Sequence, residues 1–404
     1  MTEAFCILIH YHEIALKGKN RSWFERRLIK NIKRQLSGLP FSKVQLNAAR
    51  IFCFGIDESM WNDYAQRLRK VMGIKHAILM TQVKDDIDTM KSVAAAQLKG
   101  LEFSSFRVSA RRQYKDFHLS SQEINIMVGQ HLQSTYLKPV KLKNADMDVV
   151  IELVKGMAYI GHERIYGFGG LPVKTSEQAI SMISSGIDSP VSSFEMLKRG
   201  VELTYVHFHS APATSRQSIQ NVEEILTVLA GFQIQCRVYM VPLLEIQQKI
   251  MAVAPNKLWV ILFRRSMIKI ASMIAEQLDI PALISGESVG QVASQTLSNI
   301  RATSDAADRP ILRPLAGLNK EDIIRIAEKI GTYEISIEPY DDCCSFFVPI
   351  HPETKADLEI VRKTEANIDF GEMFATALKD AEIKTFEHPD YVRKSINRLE
   401  KVSD

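Results

Sequence analysis

Six consecutive residues, Ser184-Ser185-Gly186-Ile187-Asp188-Ser189, gather hydroxyls, a glycine and a carboxylate between the apolar run "AISMI" and the helix-like "PVSSFEML". Two kinds of chemistry suit that composition. Ser or Asp can cap a helix by accepting hydrogen bonds from its free first-turn N–H groups, and Pro190 fits a first helical turn. Alternatively, small residues let backbone N–H groups close around a phosphate, and the helix dipole adds positive potential. The stretch is neither a kinase-type P-loop, since no Gly-Lys-Ser/Thr is present, nor a G-x-G-x-x-G dinucleotide loop.

Three other stretches carry reactive side chains. "LISGESVGQVASQTLSNI" follows another apolar run and brings Gly286, Gly290 and Gln295 within reach of a nucleotide. "VHFHS" places His207 and His209 on one side of a strand, with no Cys or acid at suitable spacing to complete a metal site. "IEPYDDCCSFFVPIHPETKA" sets two acids before the adjacent pair Cys343 and Cys344. Adjacent cysteines rarely bridge each other without strain. A metal would need more ligands than His351 adds. A structural pair and a nucleophilic or sulfur-carrying thiol both remain open.

The elements that must position these residues change character along the chain. From 179 onward, short apolar runs at 179–184, 202–208, 236–241 and 281–285 alternate with helical stretches at about 190–199, 215–231 and 257–278. The helix 215–231 is expected to end at Gly231. Strand, helix, strand in succession predicts an α/β domain with a doubly wound parallel sheet, whose ligands bind at the carboxyl ends of the strands. The "SSGIDS" turn follows the first of these strands, which favours the phosphate reading.

The first third reads as α+β layers. Residues 4–16 read as a strand and 20–36 as an amphipathic helix with Trp23, Leu28, Ile32 and Leu36 on one side. "KVQLNAARIFCFGI" reads as strand, 58–72 as helix and 76–83 as strand. Helices follow at 86–99 and 120–135, with strands at 106–112, near 147–154 and at 157–166. "YGFGGLPVKTSEQ" is the linker candidate. The expected organisation is two N-terminal domains, 1–58 and 59–166, a linker at 167–178 and a domain at 179–404.

Composition narrows the classes. Hydrophobic residues make up 46% and charged residues 24% of 404, as in ordinary globular chains, and no apolar run is long enough for a membrane span. The N-terminus lacks the basic region of a signal peptide. Five cysteines, an odd number, point to a reducing cytoplasm rather than a disulfide scaffold. Residues 1–50 hold ten Lys/Arg against three acids, within a chain of net charge +4. That basic end suits a polyanion such as nucleic acid, or is a solvated helix face.

"SSGIDS" resembles the S-G-G-x-D-S loop of ATP-pyrophosphatases, which cleave ATP between the α and β phosphates. Ser185 stands where the first glycine is usual, and serine restricts the positive φ angles open to glycine. In such a loop, backbone N–H groups and the hydroxyls of Ser184, Ser185 and Ser189, beside Gly186, hold the pyrophosphate. Asp188 then holds Mg²⁺ or positions the loop. In order and spacing, "YHEIALKGKNR", "FRVSARRQYKDFHLSSQEINIMVGQHL", "GFGGLPV", "MISSGIDSPV", "SGESVGQVASQTL" and "YDDCCSFFVP" resemble the tRNA 4-thiouridine synthetase (tRNA sulfurtransferase, ThiI) family along nearly the whole chain.

That resemblance implies a ferredoxin-like domain, an RNA-binding THUMP domain and a Rossmann-like pyrophosphatase domain. It implies an enzyme in which O4 of uridine 8 in tRNA attacks the α-phosphate of ATP, and persulfide sulfur from a cysteine desulfurase then displaces AMP. Family nucleotide contacts fall on Met182, Ile183, His207, Phe208, Arg264, Gly286 and Gln295. The sulfur-handling cysteine falls on Cys343 or Cys344, with Cys343 aligning better. Lys17, Lys19, Arg21, Arg111, Arg112 and Lys115 are expected to grip tRNA phosphates, with Tyr114 and Phe117 available for base stacking, although core packing is the favoured reading for Phe117. The stretch after Cys344 is too short for the rhodanese domain of many members, so sulfur is expected from another protein. A homodimer and a link to thiamine thiazole formation are further expectations of the resemblance. Two competing readings are an amide-forming ATP-pyrophosphatase ligase and an RNA-binding protein whose loop is inert.

Overall fold

The computed structural model describes residues 4–114, 116–154, 156–339, 347 and 352–388; Lys115, Cys343 and Cys344 lie outside them. The chain divides into two compact units, Met1–Pro172 and Val173–Asp404.

The first unit is built on β1 (Ala4–Tyr11), α1 (Arg21–Gln35), β2 (Lys43–Asn47), β3 (Arg50–Phe54), α2 (Trp61–Arg69), β4 (Ile74–Lys84), α3 (Ile87–Leu98), β5 (Phe106–Arg112), α4 (Ser121–Tyr136), β6 (Met147–Val154), β7 (Met157–Gly161) and β8 (Arg164–Tyr166). The strands form one sheet in the order β2-β3-β1-β4-β7-β6-β5, with β8 also on β4. Only β5 and β6 run parallel. Period-two alternation splits the side chains. Ile7, Ile9, Ile51 and Ala77 pack with α1 and α2, while Val149, Ile151 and Ile160 pack with α3 and α4. Cys6, Leu8, Phe52, Ile78, Met80 and Tyr159 form a third buried cluster from the alternate positions.

Three expectations are corrected here. Residues 43–56 are a hairpin, because Ala48 and Ala49 adopt φ of 46° and 59°, the left-handed pair that a two-residue turn requires. Strand β1 stops at Tyr11, and Glu13–Leu16 form a 3₁₀ turn. On α1 the buried stripe is Phe24, Leu28, Ile32 and Leu36; Trp23 is 42% exposed. Phe24, Leu28 and Ile32 are spaced by four, and Trp23 falls one step round the helix. The start of α4 carries a full capping box between Ser120 and Glu123.

The second unit contains β9 (Gln178–Met182), α5 (Asp188–Lys198), β10 (Glu202–His209), α6 (Gln217–Gln233), β11 (Gln235–Pro242), α7 (Leu244–Val253), α8 (Trp259–Gln277), β12 (Leu283–Ile284), α9 (Leu297–Ser304), β13 (Ile311–Leu312), α10 (Lys320–Ile330), α11 (Tyr333–Ser336), α12 (Leu358–Ala366), α13 (Met373–Lys379) and β14 (Glu382–Glu387). Its sheet order is β13-β12-β9-β10-β11-β14. Five strands are parallel; β14 pairs antiparallel with β11 and covers its edge. Helix α6 continues through Gly231 and ends before Ile234, at φ 77°.

The core of this unit packs Ile180, Val206, Phe208, Val241 and Leu283 against Ile261, Leu262, Phe263, Ile270 and Ile274 of α8. Each such fully buried side chain contributes about 1.5–3 kcal/mol. This core holds the carboxyl ends of β9, β10 and β12 side by side, where the candidate residues converge. The expected linker is bonded at both of its ends. Gly167 and Gly169 donate to Lys75 and Ile74 in the first unit, and Thr175 and Ser176 donate to Gly200 in the second.

Candidate functional site

The "SSGIDS" turn leaves β9 at Met182 and enters α5 at Asp188. The N-cap of α5 is Ile187, and no side chain caps the helix. The serines therefore do not satisfy the first-turn N–H groups, as the capping reading required. Ser189 Oγ instead closes the loop, accepting from Ser184 N at 2.8 Å and donating to Ser184 O at 3.1 Å. Ser192 Oγ donates to Ser285 O at 2.9 Å and ties α5 to β12. What remains is an uncapped helix N-terminus whose partial positive charge suits an anion. Ser185 is absent from the residues at positive φ, so serine fits this loop without strain.

Around that turn lies a cavity of about 420 Å³. Eleven of the thirteen expected nucleotide residues line it: Met182, Ile183, Ser184, Gly186, Asp188, Ser189, His207, Phe208, Arg264, Gly286 and Gln295. Of the other two, Gly290 is not part of its wall, and Ser185 is buried beside it with no hydrogen-bond partner for its hydroxyl among the described residues. Met267, Ile268, Ser285, Glu287 and Val292 complete the wall. Gly286 is there for space. A Cβ on it would sit 2.9 Å from both Cα and N of Ser189, so only glycine lets the 286–295 loop approach α5 this closely.

The buried groups have definite states. His207 Nδ1 is 3.0 Å from Ile183 O, and a carbonyl can only accept, so Nδ1 carries the proton. Burial pushes the His207 pKa down to about 4, leaving the ring neutral at pH 7. Among the described residues, no three or more His, Cys, Asp or Glu side chains cluster as metal ligands.

Asp188 has both carboxylate oxygens engaged. Lys320 Nζ donates to Oδ1 at 2.7 Å and Gln291 Nε2 to Oδ2 at 2.8 Å. Each oxygen keeps a second lone pair, so the arrangement positions the carboxylate and leaves both roles of Asp188 open. Glu287 accepts from Arg264 at 2.8 Å and from Arg313 at 2.7 Å. Three cations thus face two carboxylates, leaving net positive charge for an anion. Sequence reasoning does not reach Lys320, Gln291, Glu287 or Arg313. Lys320 stands 132 residues from Asp188, and nothing local marks it.

The first unit carries the basic candidates. Lys19 and Arg111 are exposed and unpaired among the described residues. Lys17 lies over the Phe24 ring at 5.0 Å, and Arg21 pairs with Glu25 at 2.9 Å while also bonding Tyr11. Arg112 donates to Phe117 O at 2.9 Å. Phe117 is 8% exposed and belongs to the core, and the Tyr114 hydroxyl bonds Asp85. His10 stacks on His76 at 4.4 Å. Its Nε2 lies 3.8 Å from Glu152, yet that carboxylate is already shared by Arg50 and Gln113. Burial, His76 and the nearby arginines 50, 111 and 164 push the His10 pKa down to about 2, and burial with Arg164 pushes His76 to about 4. Both rings are therefore neutral at pH 7.

Comparison with known proteins agrees with this layout. Three family models match in succession: a ThiI ferredoxin-like domain at residues 6–77, a THUMP domain at 84–163 and "Thiamine biosynthesis protein (ThiI)" at 174–370. A probable tRNA sulfurtransferase of Thermus thermophilus is 38% identical, covering 96% of this chain and 95% of that protein. One from Moorella thermoacetica is 40% identical, covering 94% and 97%. A 4-thiouridine synthetase crystallised with RNA and bound ATP superposes with a TM-score of 0.86 at 35% identity, covering 95% of this chain and all of that one. Similarity of this extent, through both units, shows that the chain belongs to the tRNA sulfurtransferase (ThiI) family.

Proposed function

We propose that this protein is an ATP-dependent tRNA sulfurtransferase that converts uridine 8 of tRNA to 4-thiouridine. The observation that carries the reading is the uncapped α5 N-terminus opening onto a cavity lined by Arg264 and Lys320-held Asp188. Such a site binds the triphosphate of ATP and stabilises a pyrophosphate leaving group. The names of the relatives and of the RNA- and ATP-bound neighbour support the same chemistry.

In this reading, the wall of Met182, Ile183, Phe208, Met267 and Ile268 takes the adenine and ribose, and His207 and Gln295 help to shape it. The loop of Ser184, Ser185, Gly186 and Ser189 holds the β and γ phosphates with Arg264, while Gly286 admits the loop opposite. Uridine O4 attacks the α-phosphorus and pyrophosphate leaves with the P–O bonding electrons. The oxygen, now esterified to AMP, can depart from C4 when sulfur attacks. Mg²⁺ is taken to enter with ATP, screening its phosphates.

Cys343 is assigned the sulfur, received as a persulfide from a cysteine desulfurase; once the outer sulfur has bonded C4 and displaced AMP, a second thiol, Cys344 or an external reductant, breaks the S–S bond, leaving 4-thiouridine and Cys343 in a disulfide. Lys17, Lys19, Arg21, Arg111, Arg112 and Lys115 are assigned to the tRNA backbone, and a tRNA substrate implies the cytoplasm. No helix among the described residues is long and apolar enough to cross a membrane.

The test combines purified protein, unmodified tRNA, Mg-ATP, a cysteine desulfurase and cysteine. Near-ultraviolet absorbance of 4-thiouridine in the tRNA is expected, and it should require both ATP and the desulfurase. Tight tRNA binding with no such absorbance would overturn the reading in favour of an inert loop.

A further inference from the structure

Arg264 lies on α8, whose other face is core, and it reaches the cavity on a long, four-torsion side chain. A guanidinium at a pocket wall is useful to a nucleotide only if its rotamer is fixed in advance. Among the described residues one group does this. Glu287 Oε1 accepts from Arg264 Nη1 at 2.8 Å. Glu287 is only 8% exposed, which makes its carboxylate costly unless it is fully paired.

The second oxygen of Glu287 is held just as firmly. Arg313 Nε donates to Oε2 at 2.7 Å. Arg313 is itself anchored, donating through Nη2 to Ser304 Oγ at 2.7 Å and through Nη1 to Ile311 O at 3.3 Å. The chain Ser304–Arg313–Glu287–Arg264 thus runs from α9 and the end of β13 to the cavity wall. Glu287 binds one N–H of Arg264 and leaves its remaining N–H groups without a protein partner among the described residues.

We infer that Glu287 is a positioning residue for the nucleotide: it holds Arg264 with its free N–H groups toward the bound phosphates, and Arg313 holds Glu287. The inference rests on the nucleotide reading of the cavity. It concerns ground-state binding of ATP, so tRNA affinity is not involved. The carboxylate also cancels one of the two arginine charges, so the pair of arginines keeps one net positive charge at the pocket.

The experiment measures ATP affinity by calorimetry and the KM for ATP and for tRNA, in the full chain. The variants are Glu287→Gln, Arg264→Ala and the double variant. Glu287→Gln is expected to weaken ATP binding by about tenfold, the loss of a charge-assisted bond. Its KM for tRNA stays unchanged. In the Arg264→Ala background the same substitution is expected to add little, because its effect passes through Arg264.

Equal ATP affinity in wild type and Glu287→Gln would overturn the inference. So would an undiminished loss in the Arg264→Ala background, the mark of a merely structural carboxylate. If Glu287→Gln does not fold, Glu287→Asp, which keeps the charge and shortens the reach, is judged by the same two criteria. A wild-type protein that binds no ATP at all would instead remove the nucleotide reading on which this rests.

Discussion

Two cations of the first unit and the cations around the cavity of the second are held in opposite ways. In the first, Lys19 and Arg111 stand in solvent with no partner among the described residues, and Lys17 leans on an aromatic ring. In the second, Arg264, Arg313 and Lys320 are each bonded to a carboxylate at 2.7–2.8 Å. Free cations on a surface act as screened point charges, suited to a flexible polyanion and weakened by salt. Cations locked to carboxylates keep a fixed direction, which a reaction at one phosphorus atom needs.

The sharpest test of that contrast is Asp188→Ala. It frees Lys320 and Gln291 together, and pyrophosphate release from ATP should fall by about 10²–10³. RNA binding should not change. A variant that still adenylates tRNA normally would break the division of labour. Next, Cys343→Ala should keep wild-type pyrophosphate release and make no 4-thiouridine; if Cys344→Ala has that effect instead, the assignment moves by one residue.

Smaller effects belong to the first unit. Removing Lys17 and Lys19 together should weaken tRNA binding several-fold. It should also lower the slope of log affinity against log salt by about 0.7–0.9 for each phosphate no longer neutralised, with KM for ATP constant. An unchanged salt slope would place the RNA elsewhere.

A separate test reads stability in acid. His10, His76 and His207 have folded pKa values of about 2, 4 and 4, below their ordinary 6.5. The unfolded chain takes up protons first as pH falls below 6.5, so the stability held at neutral pH is lost from there down to the folded values. Each neutral histidine costs about 2 kcal/mol between pH 7 and pH 5. With two of the three in the first unit, calorimetry at pH 5 should show the larger downward shift in its transition. A larger shift in the second unit would contradict the stacked neutral pair.

What could be read in advance follows the range of the interactions. Strand β5 and helix α4 were readable because their patterns are local, and the structure adds a Ser120/Glu123 capping box at the start of α4. So was the "SSGIDS" turn, whose residue types are themselves the chemistry. The hairpin at Ala48-Ala49 was hidden, since neither Gly nor Asn announces its left-handed turn. Trp23 misled because it lies only one step round the helix from Phe24, where the buried stripe begins. Strand β14, "EIKTFE", carries too many polar residues to read as part of a buried sheet, and it belongs to an edge. Lys320 and Arg313 act on the cavity wall only through Asp188 and Glu287, 132 and 26 residues away, and only the packed sheet brings them there.

The antiparallel pairing of β14 with β11 has a consequence during synthesis. A ribosome delivers β11 about 140 residues before its neighbour, a delay of about 7–30 s at ordinary elongation rates. Through that interval the nascent sheet presents a bare row of amide and carbonyl groups, open to any extended segment nearby. Polysomes translating this message would be where misassembly between copies begins, and β14 is the strand that ends the exposure.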